Sequence, residues 1–390
     1  MSKTVSPQTR YWMLVGAVFV SGASQGMLLP LLSVLFEQQD VSSDLNGLNA
    51  AGFYLGIILA SPFIEKPLQK YGYKPVLMTG LFTLALTLFL FPVWHHFWFW
   101  FFLRLVAGAS DNMLHLAAQV WITFSSPKES KGRNIAIYGL SFAAGFAVGP
   151  ILVNLLSLGT WVPFITAGSG CLALLTVLSL LDNDYPHTYA QETGPVLKRY
   201  KKVFILGWGG LVTTFGYGFL EASLNGNFPI VAMRQGIDVA SISYILPAFV
   251  AGSLITQIPL ASLSDKIGRR RVILFVTLFG TLSFIGGVLF PGHPIALACV
   301  FLISGMAIGS LYSMGMTYIS DLLPGSYLPL GNLLAGVSFS IGSMLGPLIG
   351  GLMIRIMPSG GFFLGISTIL FLIFIAIVIM PQRTSQDSEA

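Results

Sequence analysis

Charge is what this chain lacks most. Asp, Glu, Lys and Arg make up 9% of its 390 residues, where an average soluble domain carries about a quarter. A surface that faces water on every side cannot be built from so few, so a soluble enzyme of this size is excluded. The hydrophobic share of 54% excludes a disordered chain as well. Cysteine is nearly missing too. Cys171 and Cys299 both fall in apolar runs, which excludes a disulfide framework and leaves small-residue packing as their role. There is no Walker A stretch, so ATP is not expected to drive the protein directly, and there is no His/Glu metal signature. No enzyme chemistry and no cofactor is expected.

What the chain has instead is apolar length. Twelve apolar segments cover approximately residues 11–36, 46–64, 75–94, 97–124, 134–157, 161–181, 203–232, 241–263, 272–290, 295–319, 332–354 and 361–380. Each approaches the roughly 20 residues that carry a helix across about 30 Å of hydrocarbon. Membrane barrels alternate apolar and polar residues over strands of about ten residues, which these continuous runs do not. The first run is too long for a signal peptide and is expected to stay as a helix. The polar stretch 182–202 separates an N-terminal six-helix bundle, 1–181, from a C-terminal one, 203–390. The fold class is an all-α membrane protein.

Basic residues orient it. With the N-terminus in the cytoplasm, that side holds Lys3, Arg10, Lys66, Lys70, Lys74, Lys128, Lys131 and Arg133, then Lys198, Arg199, Lys201, Lys202, Lys266, Arg269, Arg270, Arg271 and Arg383. Only Arg234 and Arg355 fall outside, and Arg104 lies within a span. Both termini are therefore expected in the cytoplasm, in a bacterial inner membrane, with the lipid bilayer as partner. The net charge of +5 belongs to these loops and implies no nucleic acid.

The two halves repeat. Gly72 in Lys70-Tyr71-Gly72-Tyr73-Lys74 and Gly268 in Lys266-Ile267-Gly268-Arg269-Arg270 are 196 residues apart. Gly145 and Gly342, which open Gly145–Pro150 and Gly342–Pro347, are 197 apart, as are Gly108 and Gly305. Pro30 and Pro229 are 199 apart. Repeated halves of the same orientation place a substrate site near the bilayer midplane. The small residues Gly108, Gly145, Gly149, Gly342 and Gly346 permit close helix approach, and Pro150 and Pro347 add bends.

These motifs resemble those of the major facilitator superfamily over nearly the whole chain. Ser262 to Arg271 matches its inter-helix loop signature, and Arg104 with Gly108 its fourth-helix motif. Gly145 to Pro150 resembles the antiporter motif of drug:proton exporters, although Val153 and Asn154 stand where that motif has two glycines. The first loop departs as well, with Gln69 and Tyr73 at the positions of Asp265 and Arg269. The resemblance implies twelve helices in two pseudo-symmetric bundles that give alternating access to a binding site.

The repeat serves as an internal control. Where one half has a charge and the other has none, the fold does not require it. Arg104 corresponds to Phe301, Asp111 to Ile308 and His115 to Tyr312, while Glu221 falls opposite Gly22 to Ser24. Arg104, Asp111 and His115 share one helix face at 3.6 residues per turn, and a charge in hydrocarbon must face the bundle interior. Asp111, Glu221 and Arg104 are the proton-coupling candidates, with an Arg104–Asp111 pair as the expected switch. Gln25, His115, Asn225 and Asn227 are the substrate-binding candidates. Gly226 and Pro229 should weaken the seventh helix beside a cavity. Asp265, Arg269 and Arg270 are expected to gate, as a charge latch that breaks and reforms. His95 and His96 sit among tryptophans, as in an interfacial aromatic belt rather than a metal site. The expected function is a monomeric secondary transporter that exports small amphipathic molecules or drugs against protons. A proton-coupled importer and a sugar or metabolite exporter are the alternatives, and a non-transporting membrane sensor is a third.

Overall fold

The computed structural model describes residues 6–127, 130–185, 196–324, 327–358 and 360–379. Among the orienting cations, Lys3, Lys128 and Arg383 lie outside the described residues. All the regular structure in the described residues is helical. In order the helices are α1 (Pro7–Gln38), α2 (Ser43–Tyr71), α3 (Tyr73–Leu90), α4 (Phe97–Ser125), α5 (Lys131–Leu152), α6 (Val162–Leu178), α7 (Val196–Arg234), α8 (Val239–Ile267), α9 (Arg269–Gly287), α10 (Pro294–Ile308), α11 (Leu311–Leu322), α12 (Leu328–Ile356) and α13 (Gly361–Ile379).

The expected spans are all present, with three local differences. Helix α7 begins at Val196, inside the stretch read as linker, of which 186–195 lies outside the described residues. The tenth span is interrupted at Gly309 and Ser310, so α10 and α11 together make one crossing. Helix α5 tightens after Pro150 into a 3-10 turn over Val153–Leu158. Among the described residues, ten helical stretches are long and apolar enough to cross a membrane. Helix α6 is shorter, at 17 residues, and α4 is diluted by Arg104, Asp111, Asn112 and His115.

The chain forms two units, Met1–Leu32 with Gly52–Ala190 and Ser33–Ala51 with Gln191–Ala390. The repeat read from the sequence recurs as a repeat of contacts inside each unit. In the first, a Cβ on Gly145 would strike the Phe19 carbonyl, and one on Gly108 the Phe53 carbonyl. In the second, a Cβ on Gly342 would strike the Phe215 carbonyl, and one on Gly305 the Phe249 carbonyl. Each glycine therefore lets two helix backbones touch, in the parallel pairs α1–α5, α2–α4, α7–α12 and α8–α10. Between helices in lipid there is no hydrophobic drive, so such close packing is what holds them.

The loop glycines repeat as well, Gly72 at φ 85° and Gly268 at φ 94°, each opening the next helix from a left-handed turn. So do the cations beside them. Lys74 Nζ donates to the carbonyls of Ser179 at 2.7 Å and Leu181 at 2.5 Å. Arg270, its counterpart, donates to Ile377 at 3.0 Å and Val378 at 2.9 Å. Both neutralise the exposed carbonyls at the end of their unit's last helix.

A steric prediction follows from the glycine contacts. Gly108→Val and Gly305→Val should each destabilise the protein by about 1–3 kcal/mol through overpacking against a backbone that cannot yield. Gly139→Val should not, because a Cβ at Gly139 on α5 meets nothing within 4 Å. Thermal midpoints of the purified variants test this; equal midpoints for all three would discard the close-contact argument.

Candidate functional site

In the first unit, α4 holds α1 at two rungs. Arg104, 1% exposed, donates from a guanidinium nitrogen to the Leu28 carbonyl at 3.3 Å. Seven residues on, the buried Asp111 carboxylate accepts a hydrogen bond from the Ser21 hydroxyl. Ser21 precedes Leu28 by seven residues, as the antiparallel course of the two helices requires, and seven residues span about 10.5 Å. The expected Arg104–Asp111 pair therefore gives way to separate partners on α1. Side chains of a helix lean toward its N-terminus, so Arg104 leans away from Asp111.

His115, one turn beyond Asp111, joins the second rung. Its Nε2 lies 3.7 Å from the Asp111 carboxylate and 3.3 Å from the Ser21 hydroxyl. Its Nδ1 meets the Tyr138 hydroxyl of α5 at 2.7 Å, and the Phe142 ring packs edge-on at 5.0 Å. Hydrogen bonds thus run from Asp111 through the Ser21 hydroxyl of α1 to His115 and on to Tyr138 of α5, with the Asp111 carboxylate and the His115 ring at ion-pair distance.

The second unit presents the matching positions with different chemistry. The packing of α7 on α12 repeats that of α1 on α5 at an offset of 196, since Phe215 takes the place of Phe19. Glu221 therefore corresponds to Gln25, not to Gly22–Ser24 as the sequence reading had it. The error came from pairing Pro30 with Pro229, which the packing does not make equivalent. Tyr217 then matches Ser21, Tyr312 matches His115 and Phe339 matches Phe142. The ring geometry agrees: Tyr312 and Phe339 meet edge-on at 5.3 Å, much as His115 and Phe142 do. Tyr217 lies 6.2 Å from Tyr312 and 6.3 Å from Phe339, one helical turn before Glu221 on α7. All four side chains are only partly buried. At the position of Arg104 stands Phe301, in van der Waals company with Phe228 and Phe284.

The two asparagines have structural partners. Asn225 donates to the Glu221 backbone carbonyl at 2.9 Å. Asn227 is fully buried and donates to the Pro347 carbonyl at 3.1 Å, which ties α7 to α12. Gln25 is buried on α1. Helix α7 runs unbroken through Gly226 and Pro229. Its weak point is covered: the Gly226 carbonyl accepts from Ser33 at 2.5 Å and Asn46 at 2.7 Å.

Those two residues belong to a strap that the sequence reading missed. Residues 33–51 pack with the second unit, where Glu37 takes Arg234 in a forked pair at 2.7 and 3.1 Å and Asp44 takes Arg355 at 2.7 Å. Arg234 and Arg355 are the two cations that broke the charge asymmetry, and that was the available signal. The loop charges expected to gate are also internal to the second unit. Arg269 pairs with Asp265 and reaches Asp321 at 3.2 Å and the Ser264 hydroxyl at 2.5 Å. In the first unit Tyr73 takes the place of Arg269 and stacks on Trp121 at 5.5 Å. His96 stacks on Trp94 at 5.1 Å.

Helices that touch through matched glycines, in two copies that differ in their polar groups, match a known architecture. A profile of the Major Facilitator Superfamily fits residues 14–219 and 210–390. The chain belongs to this superfamily. It is 46% identical over 383 residues, 97% of both chains, to the uncharacterized MFS-type transporter YfkF of Bacillus subtilis (strain 168). It is 23% identical over 368 residues, 92% of this chain and 93% of the relative, to the MFS-type transporter YcaD of Shigella flexneri. Among solved structures, a bacterial homolog of the human lysosomal transporter Spinster, inward-facing and unoccupied, superposes with a TM-score of 0.73 at 14% identity over 96% of both chains. The nucleoside transporter NupG does so with a TM-score of 0.73 at 13% identity, over 95% of this chain and 100% of NupG. Those structures bear on the fold, which is that of a multi-pass facilitator. This facilitator is a membrane transporter with bacterial relatives.

The strap gives a measurable quantity. Glu37→Gln and Arg234→Ala, combined in a double-mutant cycle of thermal stability, should show a coupling of about 0.5–1 kcal/mol, since the pair is partly exposed. Additive effects would mean that the forked pair does not hold the strap.

Proposed function

We propose that this facilitator is a secondary active transporter that exports small amphipathic molecules in exchange for protons. The observation that carries the reading is the run of hydrogen bonds from Asp111 through Ser21 and His115 to Tyr138. The second unit builds the same helix packing with Ile308, Tyr217, Tyr312 and Ala335 at those positions, so packing does not call for a carboxylate or an imidazole there. Export is supported by the resemblance of Gly145–Pro150 to the antiporter motif. The termini face the cytoplasm of the cell membrane, the protein works as a monomer, and the proton gradient is the only driving force required.

The two rungs between α4 and α1 divide the work. The Arg104 guanidinium keeps its charge at any working pH, so its bond to the Leu28 carbonyl is permanent and positions α1. The Asp111 rung changes with its proton. Ionised, the carboxylate accepts from Ser21 and attracts a protonated His115. Protonated, it no longer attracts that cation, and α1 is held there less firmly. Proton arrival thereby loosens one rung while the other stays, and the site becomes exposed alternately to the two sides. Glu221 serves as the second acidic group of the transport cycle.

Proteoliposomes with an imposed pH gradient and a panel of amphipathic dyes, nucleosides and sugars test this. Asp111→Asn should lower gradient-driven transport by about tenfold or more and flatten its pH dependence, while downhill exchange of substrate persists. Arg104→Lys should fold and yet transport several-fold more slowly, because an ammonium lacks the planar fork. An Asp111→Asn protein that still concentrates substrate with an unchanged pH profile would sink the coupling role.

A further inference from the structure

We propose that the partly open face formed by Glu221, Tyr217, Tyr312 and Phe339 is a binding site for an organic cation, with Glu221 as counter-charge and the three rings as its walls. This rests on the transporter reading above and names the substrate class.

The argument begins with an imbalance. Among the described residues, every other carboxylate inside or at the end of a helix that was followed above has a named cationic or titratable companion: Asp111 has His115, Asp265 has Arg269, Glu37 has Arg234 and Asp44 has Arg355. Glu221 has none. Among the described residues no Lys, Arg or His nitrogen lies within 4.0 Å of it, and the side chain one turn before it on α7 is Tyr217, whose hydroxyl is a neutral donor. An ionised carboxylate among apolar helices is costly unless a positive charge joins it. The protein supplies no such cation there, so the carboxylate is answered by a proton while the site is empty and by a cationic occupant when it is filled.

The surroundings say which kind of cation. Tyr217, Tyr312 and Phe339 touch one another at ring-centroid distances of 6.2, 6.3 and 5.3 Å, and Glu221 follows Tyr217 by one turn of α7. Aromatic faces attract weakly hydrated organic cations, and more strongly once water is excluded. A metal ion would need several oxygen or nitrogen ligands, and among the described residues no group of three His, Cys, Asp or Glu side chains converges. The first unit supplies the internal contrast. At the same four positions it has Gln25, Ser21, His115 and Phe142, one aromatic carbocycle and no carboxylate. Only the second unit combines an unpaired acid with three rings.

The test uses two ions of one shape and opposite charge, tetraphenylphosphonium and tetraphenylborate, in equilibrium dialysis against the protein in lipid nanodiscs, with empty nanodiscs as blank. Saturable binding of the phosphonium at least about tenfold tighter than of the borate is expected. Glu221→Gln should weaken phosphonium binding by about tenfold and erase the preference. Tyr312→Leu should weaken it by about three- to tenfold, with Tyr312→Phe close to the parent. Equal binding of the two ions by the parent protein, which needs no variant to fold, overturns the proposal. So does an unchanged Kd in a folded Glu221→Gln. The assay has no gradient, so it is separate from proton coupling. Phosphonium binding in a protein without proton-driven transport would leave this site standing and remove the export reading. Proton-driven transport without charge selectivity would do the reverse.

Discussion

A charge inside hydrocarbon has to be answered by something close at hand, and water is not available to do it. Arg104 is answered by a backbone carbonyl of α1. At the helix ends, outside the hydrocarbon, Lys74 and Arg270 meet the carbonyls that end α6 and α13. Arg234 and Arg355 meet carboxylates from the strap, and Asp265 meets Arg269. Most of these answers are local and permanent. Asp111 is different, because its partners are the neutral Ser21 hydroxyl and the His115 imidazole, not a fixed cation. Glu221 is different again, because among the described residues no cation of the protein lies within 4.0 Å of it.

Duplication separates architecture from chemistry within one chain. The glycine contacts, the left-handed loop glycines and the cations that end the sixth and twelfth spans occur in both units at offsets of 196 to 198 residues. They answer to the bilayer, which is the same for both. The polar groups on α1 and α4 and on α7 and α11 do not repeat, and there the units diverge at one residue after another. Arg270 therefore belongs with the architecture, since Lys74 does the same work, while Asp265, Arg269 and Asp321 have Gln69, Tyr73 and Phe124 opposite them and remain particular to the second unit.

Much of this was legible in the sequence because the signals were long or repeated. Spans show as apolar length, and the two bundles as a constant spacing of glycines. The asymmetric placement of Arg104, Asp111 and His115 follows from that spacing too, and the structure puts Asp111 and His115 together as helical periodicity requires. What was not legible were contacts between helices distant in sequence. Tyr138 gives no sign, on its own helix, that it will meet His115. The register of α7 against α1 was misjudged by one to three residues, and this hid the match between Glu221 and Gln25. A helix face moves 100° per residue, so an error of that size reassigns the neighbours of a side chain. The direction in which Arg104 leans is likewise a property of the helix backbone, not of the spacing between charges.

The interruption of the tenth span fits the same division. Asp111 and Asn112 in the intact α4 correspond to Ile308 and Gly309, where α10 stops, and α11 restarts after Ser310. A Cβ on Gly309 would strike Ser253 of α8, so the break is packed against that helix. In α4 the rung to α1 needs a straight helix, because Arg104 and Asp111 must stay in phase with Leu28 and Ser21 over two turns. The second unit has no such pair of rungs, with Phe301 and Ile308 in their places. Its tenth span turns at Gly309 and Ser310 without losing register, because Tyr312 still meets Phe339 edge-on as His115 meets Phe142. A straight helix that carries two polar rungs and a turned helix that carries none are two outcomes of one duplicated sequence.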